Sequence, residues 1–339
     1  MQDNIKKYLY DILVSAKSTR CAFVKKKEKK LFIEYKIFVY LSVYQTYKYM
    51  NNFIQNYKII LHHLKELDLN TTIFKQIRKP KLSNIELIAM NFTAEYMGID
   101  SECQLFRTIE STELDAFIER SVYNRRKRKL FSLIETIRLS FFNEFENYFI
   151  VDSMPLEICK LSRASRSKIC KEHNYCFPDK GFSASQNLYY YGYKLHGVCS
   201  ISGIFQSIDI TPASVHDIHF LKDIKTQLSD CVLLADRGYL STSIQLNLFE
   251  TANINLQTPK RKNQKDYKKQ AYIFRKKRKR IETLFSQLCD QFLIRRNYAK
   301  SFDGFKTRII SKIASLTMIQ YLNKFVIDRP IKNIKLNLS

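Results

Sequence analysis

The sequence lacks the features that mark secreted, disulfide-stabilised and membrane-spanning proteins. No apolar run approaches the roughly 20 residues that a membrane-spanning helix needs, since charged residues interrupt the longest candidate, residues 31–44. No secretory signal is evident at the N-terminus. The cysteines include no Cys-x-x-Cys pair, and although Cys170, His173 and Cys176 would offer three zinc ligands, no second pair with metal-site spacing follows. We therefore expect reduced thiols, a cytoplasmic location and no membrane partner.

Acidic residues are scarce relative to basic ones. The chain has 32 Asp and Glu against 57 Lys and Arg, which gives a formal net charge of +25, while its 45% hydrophobic content is ordinary for a folded globular protein. The simplest explanation is a polyanionic partner. Charge alone leaves nucleic acid, an anionic membrane surface and the ribosome open as that partner.

The chain divides into four segments by composition and pattern. The first has a lysine-rich block and a tyrosine-rich run without a clear period, and we interpret Met50 as the native start. The second is helical, the third alternates strand and helix patterns, and the fourth is a short tail. The predicted segments are an atypical extension at 1–49, a helical DNA-binding domain at 50–146, a catalytic α/β domain at 147–328 and a tail at 329–339.

The second segment contains three sharp helix patterns. Ser83 and Glu86 have the spacing of a capping box, and Gly98 is placed to end the helix that follows. A short helix is predicted after Ser101, and the basic stretch 120–129 leads into a third helical pattern that runs to about residue 145. Three helices ending in a basic one resemble a helix-turn-helix module, although a basic helix is as often only a solvated surface.

The third segment follows the order of a ribonuclease H-like domain. Ser202-Gly203 is typical of a hairpin turn, so the first three strands should form a meander, followed by helix, strand, helix and strand. This order predicts a mixed five-stranded sheet with flanking helices, though fold order alone does not establish function. The predicted strands are 148–152, 188–199, 204–210, 231–236 and 254–258, and the predicted helices are 215–228, 241–251, 273–292 and 302–325.

Three acidic residues in this segment could converge on one point. Asp152 and Asp236 each close an apolar strand pattern, and ligands collect at such strand ends in open sheets. Glu282 lies off the apolar face of a predicted helix. Three converging carboxylates would repel one another unless hard divalent cations offset their charge, as in a nuclease-type metal site. Taken singly, each acid could instead be an ordinary turn residue or a surface charge partner.

Basic residues are candidates for contact with DNA phosphates. Three of them precede Glu282 on its side of the helix, and the others lie after Asp152, in the basic stretch of the second segment, and before the helix of Glu282. The candidates are Arg125, Arg126, Arg128, Arg163, Arg166, Lys260, Arg261, Arg275, Arg278 and Lys279.

The adjacent pair His216-Asp217 admits two interpretations. Some metal-dependent phosphohydrolases use a His-Asp pair, but two adjacent residues form a common pattern. Residues 214–217 fit a helix N-terminus equally well, since an acid there interacts favourably with the helix dipole. Similarly, the tyrosines of residues 189–193 could stack on exposed bases, or could alternate between core and surface within a strand.

At these residues the chain resembles the DDE-type transposases of bacterial insertion sequences, of the insertion sequence 982 type. The resemblance covers about residues 50–328, with Arg278 at the Arg of the family's Tyr-Arg-Glu-Lys signature and Arg275 and Cys289 departing from it. The motifs that carry it are Val-Asp-Ser-Met-Pro-Leu at Asp152, Tyr-Gly-Tyr-Lys-Leu-His before Gly197, Ala-Asp-Arg-Gly-Tyr at Asp236 and Arg-Lys-Arg-Ile-Glu-Thr-Leu-Phe-Ser at Glu282.

The resemblance implies a triad and a mechanism. Asp152, Asp236 and Glu282 would be the catalytic and metal-binding residues, holding two Mg²⁺ ions that Mn²⁺ can replace. A metal-activated water would cut DNA at the element end, and the freed 3′-hydroxyl would then attack target DNA. The implied partners are the terminal inverted repeats, target DNA and further copies of the chain in a homo-oligomeric synaptic complex, with a nucleoid-associated location.

Two other classes of function stay open at this stage. The chain could be a sequence-specific DNA-binding repressor whose ribonuclease H-like domain is inactive, although the intact triad argues against this. It could also be a structure-specific DNA nuclease that cuts without strand transfer.

Overall fold

The computed structural model describes residues 52–67, 80–110, 112–142, 146–184, 186–260, 267 and 271–335. The predicted extension 1–49, Met50 and the DNA-binding candidate Arg261 lie outside these residues. The described residues from Phe53 onward belong to one compact unit. The domain boundary predicted at residue 146 falls within that unit, and the division stays a prediction.

Within the described residues, five α-helices precede the sheet. The capping box is confirmed, because the Ser83 hydroxyl accepts a hydrogen bond from the Glu86 amide at 3.2 Å and Glu86 Oε2 accepts one from the Ser83 amide at 2.7 Å. Gly98 follows with a φ of +68°, as expected of a residue that ends a helix. The helices are α1 over residues 52–66, α2 Asn84–Tyr96, α3 Glu102–Ile109, α4 Arg120–Lys129 and α5 Phe131–Ser140.

The helix predicted from residue 120 to about 145 is two helices, so this prediction was wrong. Leu130 joins α4 and α5 with φ −89° and ψ 9°, which breaks the helical path, and its side chain is buried. Because the chain turns at this buried residue, both helices can pack against α9, the long helix Phe302–Tyr321. Tertiary packing here overrides a continuous local helix signal.

The described residues form one six-stranded mixed sheet. Strands β1, β3 and β5 are central, and the path across the sheet is β2-β3-β1-β5-β6, with β4 also paired to β3. The three pairings made by β3 are antiparallel, whereas β1–β5 and β5–β6 are parallel. The strands are β1 Tyr148–Cys159, β2 Asp179–Ser183, β3 Leu188–Ser200, β4 Phe205–Pro212, β5 Cys231–Leu234 and β6 Ile254–Gln257.

All five predicted strands are present, and the prediction of a five-stranded sheet was short by one strand. The extra strand β2 is polar and contains Gly181, so it carries no apolar alternation. It forms because Leu188–Ser200 is long enough to pair with both β2 and β4. Gly203 adopts a φ of +93° in the turn between β3 and β4, which confirms the predicted hairpin.

Helices cover the sheet on both faces. One face packs on α6, Leu221–Ile224, and α7, Thr242–Ala252, through a buried apolar cluster. Helix α6 is shorter than the predicted 215–228, because residues 217–220 form a 3₁₀ turn instead. On the other face, α8, Tyr272–Asp290, lies against β1.

Helix α9 contacts both the first helices and the sheet region, and we call its contact with α2 the helical junction. Every residue of α9 from 307 to 320 is buried. Lys312 of α9 forms a buried ion pair with Glu95 of α2, and Asn91 donates a hydrogen bond to the Ser311 hydroxyl at 2.8 Å. None of the helices in the described part of the chain is long and apolar enough to cross a membrane.

Candidate active site

Asp152 and Asp236 lie side by side at the carboxyl ends of two parallel strands. The last residues that pair between β1 and β5 are Ile150 and Leu234. Asp152 comes two residues after Ile150, and Asp236 comes two residues after Leu234. Asp152 is still within β1, opposite Gly197 of β3, whereas Asp236 begins the 3₁₀ turn Arg237–Tyr239. This edge is where open α/β sheets bind ligands.

Asp152 is half-buried, and its surroundings disfavour a negative charge. Burial raises the pKa of its carboxyl from 3.8 to about 6. The backbone amide of Ser153, which donates to Asp152 Oδ1 at 2.8 Å, and the Arg278 guanidinium partly offset this rise. The carboxylates of Asp236 and Asp217 add to it. An added cation would therefore stabilise the ionised form of Asp152.

Helix α8 brings a cation to this edge. Arg278 Nη1 lies 3.0 Å from Asp236 Oδ1, and the side chain of Asp236 is 52% exposed. We call Asp152, Asp236 and Arg278 the strand-end site. An arginine bonded to one carboxylate and close to the other shows that this edge accommodates positive charge.

Glu282 is near the strand-end site but is not gathered into it. It is exposed on α8, one turn after Arg278, or about 6 Å along the helix axis. Among the described residues, the group of three possible metal ligands with atoms within 4.8 Å of one another is His62, His63 and Glu66 on α1, and not the three predicted acids. In that group, Glu66 accepts from the His63 ring at 2.7 Å, as in an ordinary pair along a helix.

The residues present fit a divalent metal ion. Two carboxylates end adjacent strands, and hard divalent cations prefer such oxygen ligands. Burial, and to a lesser degree the neighbouring carboxylates, raise the pKa of Asp152, and Asp236 already pairs with the Arg278 cation, so a cation at this edge would stabilise both carboxylates. Asp152 and Asp236 could hold a metal directly, and Glu282 could join them by turning toward the strand ends.

Of the predicted DNA-binding residues that the structure describes, Arg278 is the one that contacts Asp236, and its charge also acts on Asp152. Arg163 and Arg166 are exposed on a 3₁₀ helix after β1, and Lys260 is exposed after β6. Arg275 and Lys279 are exposed on α8.

The basic helix α4 supplies a second cationic surface. Arg125 and Arg128 are exposed and line a cleft of about 540 Å³. Arg126 lines the same cleft, but it is half-buried and donates to Asn84 Oδ1 at 3.0 Å. Its neighbour Lys127 is buried and ion-paired, so only part of this helix is available to a ligand.

Sequence reasoning did not single out Lys194 and considered Asp217 only within the His216-Asp217 pair, yet both lie beside the strand-end site. Lys194 Nζ lies 3.0 Å from Asp217 Oδ1, and Asp217 acts on the pKa of Asp152. Both residues lie in motifs that the sequence makes visible, but only the fold brings them together. The helix-N-terminus interpretation of His216-Asp217 is supported, because the His216 ring accepts from the Ile218 amide at 3.3 Å.

The two other sequence candidates fit structural roles. Cys170 and Cys176 are buried while His173 is exposed and stacked on Tyr175, so the three do not form a zinc site. In β3, Tyr189 is exposed, and the remaining three tyrosines of residues 189–193 are buried in the sheet.

A comparison with protein-family models gives one match, to the transposase DDE domain, over residues 143–318. No curated protein and no solved structure matches the chain. The matched region contains β1 to β6, the strand-end site and Glu282. Transposases act on DNA, and those of the DDE type generally use divalent metal ions. The match covers half of the sequence, and the chain therefore belongs to the transposase DDE domain family.

Proposed function

We propose that this transposase cuts DNA at the ends of an insertion sequence and joins those ends to target DNA. The observation that carries the proposal is the placement of Asp152 and Asp236 at adjacent parallel strand ends, with Arg278 of α8 on one of them. Glu282 follows Arg278 by one helical turn. One helix thus offers both a further acid and cations for the DNA backbone.

Asp152, Asp236 and Glu282 would hold the metal, which we propose to be Mg²⁺. When bound, two such ions supply a nucleophile at neutral pH and stabilise the attacking and leaving oxygens. Asp152 would contribute its carboxylate, because a pKa of about 6 leaves this side chain largely ionised at neutral pH. Glu282 would contribute by swinging from solvent toward the strand ends.

Arg278 has two roles in this proposal. Without a metal, its guanidinium offsets the charge of Asp236. With a metal in place, Arg278 is free to bind a DNA phosphate beside the reacting bond. Arg275 and Lys279, which are exposed on the same helix, would hold the neighbouring phosphates.

The cleft along α4 would bind DNA farther from the chemistry. Arg125 and Arg128 are exposed there, so we propose that the helical segment contacts the terminal inverted repeats. Arg126 would have to leave Asn84 to take part.

Joining two element ends would require more than one copy of the chain. Assignment to the insertion sequence 982 type stays a prediction.

The decisive experiment uses labelled DNA that carries the source element's end, a target plasmid, and Mg²⁺ or EDTA. Metal-dependent cleavage and joining are expected, and Glu282→Gln should abolish both. Asp290→Asn is the matched control, because Asp290 is exposed on the same helix and loses the same charge.

Three results would contradict the proposal. Cleavage in EDTA would exclude a metal-dependent site. Cleavage without joining would indicate a nuclease, and DNA binding without cleavage would indicate a repressor. The last outcome is not favoured, because both aspartates and Arg278 stand together at the strand ends.

A further inference from the structure

A half-buried ion pair lies beside the strand-end site, and the proposed function does not use it. Lys194 projects from β3, and its Nζ donates to the backbone oxygen of Val215 at 2.8 Å and to Asp217 Oδ1 at 3.0 Å. The two side chains are only 15% and 26% exposed. Because two bonds fix the ammonium group, the pair ties the segment after β4 to the middle of the sheet.

Asp217 in turn faces the turn that carries Asp236. Its Oδ2 lies 3.9 Å from the position that a Cβ would take at Gly238. The 3₁₀ turn Asp217–Phe220 packs against the 3₁₀ turn Arg237–Tyr239. Lys194 is therefore linked through Asp217 to the turn that begins at Asp236.

An unpaired carboxylate at Asp217 would disturb this arrangement. It would repel the ionised forms of Asp152 and Asp236, and the 236–239 turn would lose a fixed neighbour. The bond to Lys194 offsets part of the charge of Asp217 and fixes its position. Groups that orient metal-binding side chains in this indirect way typically change metal affinity by 10- to 100-fold.

We propose that the Lys194–Asp217 pair positions Asp236 toward Asp152 and thereby sets the affinity of the strand-end site for a divalent cation. This inference rests on the proposed function and deepens it. Lys194 and Asp217 act as positioning residues, which hold the 236–239 turn and leave metal binding to Asp152 and Asp236.

The test is a calorimetric titration of the full chain with Mn²⁺. Lys194→Met and Asp217→Asn should each weaken Mn²⁺ binding about 10- to 100-fold. Lys194→Arg, which keeps the cation, should recover most of the affinity. End cleavage by Asp217→Asn should return to within a few-fold of the unchanged protein at saturating Mn²⁺, because the ligands themselves are intact.

Lys127→Met is the matched control. Lys127 also forms a half-buried pair, with Glu102 at 2.8 Å, but this pair joins α4 to α3 away from the sheet. Its loss should lower the thermal midpoint and leave Mn²⁺ affinity unchanged. A fall in affinity with Lys127→Met equal to that with Lys194→Met would mean that general destabilisation weakens the site, and would overturn the proposal.

The remaining outcomes are also decisive. If Asp217→Asn weakens Mn²⁺ binding while Lys194→Met does not, Asp217 is itself a ligand and the positioning role is wrong. Unchanged Mn²⁺ affinity in both Asp217→Asn and Lys194→Met overturns the positioning role as well. If Lys194→Met does not fold, the Mn²⁺ affinities of Asp217→Asn and Lys194→Arg decide whether the pair has a positioning role. The proposed function fails separately if Asp152→Asn binds Mn²⁺ as tightly as the unchanged protein, and this inference then fails with it.

Discussion

At the helical junction, Lys312 and Glu95 form an ion pair in which both side chains are at most 5% exposed. At the strand-end site, Arg278 pairs with an Asp236 side chain that is 52% exposed. Water cannot replace a lost partner at the junction, whereas it can at the strand ends. The two regions thus use the same chemistry in different settings. The junction pair fixes the fold, whereas in the proposed function the strand-end pair gives up Arg278 in exchange for a metal ion.

The surroundings of the acidic residues also differ between the helical junction and the strand-end site. Glu95 has a single fixed cation and neighbours that are themselves hydrogen-bonded, such as Asn91 and Ser311. Asp152 lies close to two other carboxylates, and its raised pKa records the cost of its charge. Carboxyl groups with strongly perturbed pKa values are concentrated at functional sites, which supports the proposed metal site.

The sharpest way to break this comparison is to remove an acid from each region. Asp236→Ala should reduce end cleavage by more than about 100-fold, since even groups that only orient metal ligands cost 10- to 100-fold. Binding to the element end should persist, as measured by gel shift. Comparable cleavage by Asp236→Ala and the unchanged protein would remove Asp236 from the site.

The second prediction concerns the junction. Lys312→Met leaves Glu95 buried without its cation, and should lower the free energy of unfolding by about 3–5 kcal/mol in urea titrations. Replacing both residues, with Lys312→Met and Glu95→Gln, should recover part of this loss. A loss below about 1 kcal/mol in the single variant would show that the junction is as tolerant as the strand-end site.

The third prediction concerns pH. Burial raises the pKa of Asp152 to about 6, so the folded chain keeps a proton that the unfolded chain has already released. Stability of the metal-free protein should therefore fall as pH rises from about 4 to about 6, by roughly 2–3 kcal/mol from this group.

Asp152→Asn should remove this part of the pH dependence and make the metal-free protein more stable than the unchanged chain above pH 6. Asp290→Asn, which replaces an exposed residue and leaves Asp152 in place, should keep the pH dependence of the unchanged chain. Urea titrations between pH 4 and pH 7 measure the free energy of unfolding of both variants. If Asp152→Asn keeps the same dependence of stability on pH, the pKa of Asp152 is not raised in the folded protein.

The smallest effect on stability is expected from Arg278→Gln. Because its partner is more than half exposed, the free energy of unfolding should change by less than about 1 kcal/mol. The slope of the logarithm of DNA affinity against the logarithm of salt concentration should nevertheless become shallower by about one, as expected for the loss of one phosphate contact. A loss of several kcal/mol would show that Arg278 stabilises the fold as Lys312 does.

Much of the fold could be predicted from the sequence, because strong local patterns coincide with the final structure. The apolar runs before Asp152 and Asp236 are central strands, and the capping box at Ser83 begins a helix. Strand β2 and the break at Leu130 were missed, because they depend on pairing with a long neighbour and on packing against α9.

The site was predicted only in part, for a related reason. The strand register alone puts Asp152 beside Asp236, so their proximity follows from two local patterns. The link from Lys194 to Asp217 depends on how the segment after β4 folds back over the sheet. No residue spacing in the sequence encodes that contact. The exposed position of Glu282 likewise depends on the rotation of α8 about its axis.

The most direct test of the account is the anomalous diffraction of crystals soaked in Mn²⁺. The account predicts a metal peak between the carboxylates of Asp152 and Asp236, with Arg278 moved away from Asp236. A peak at His62, His63 and Glu66 on α1, with none at the two aspartates, would contradict it.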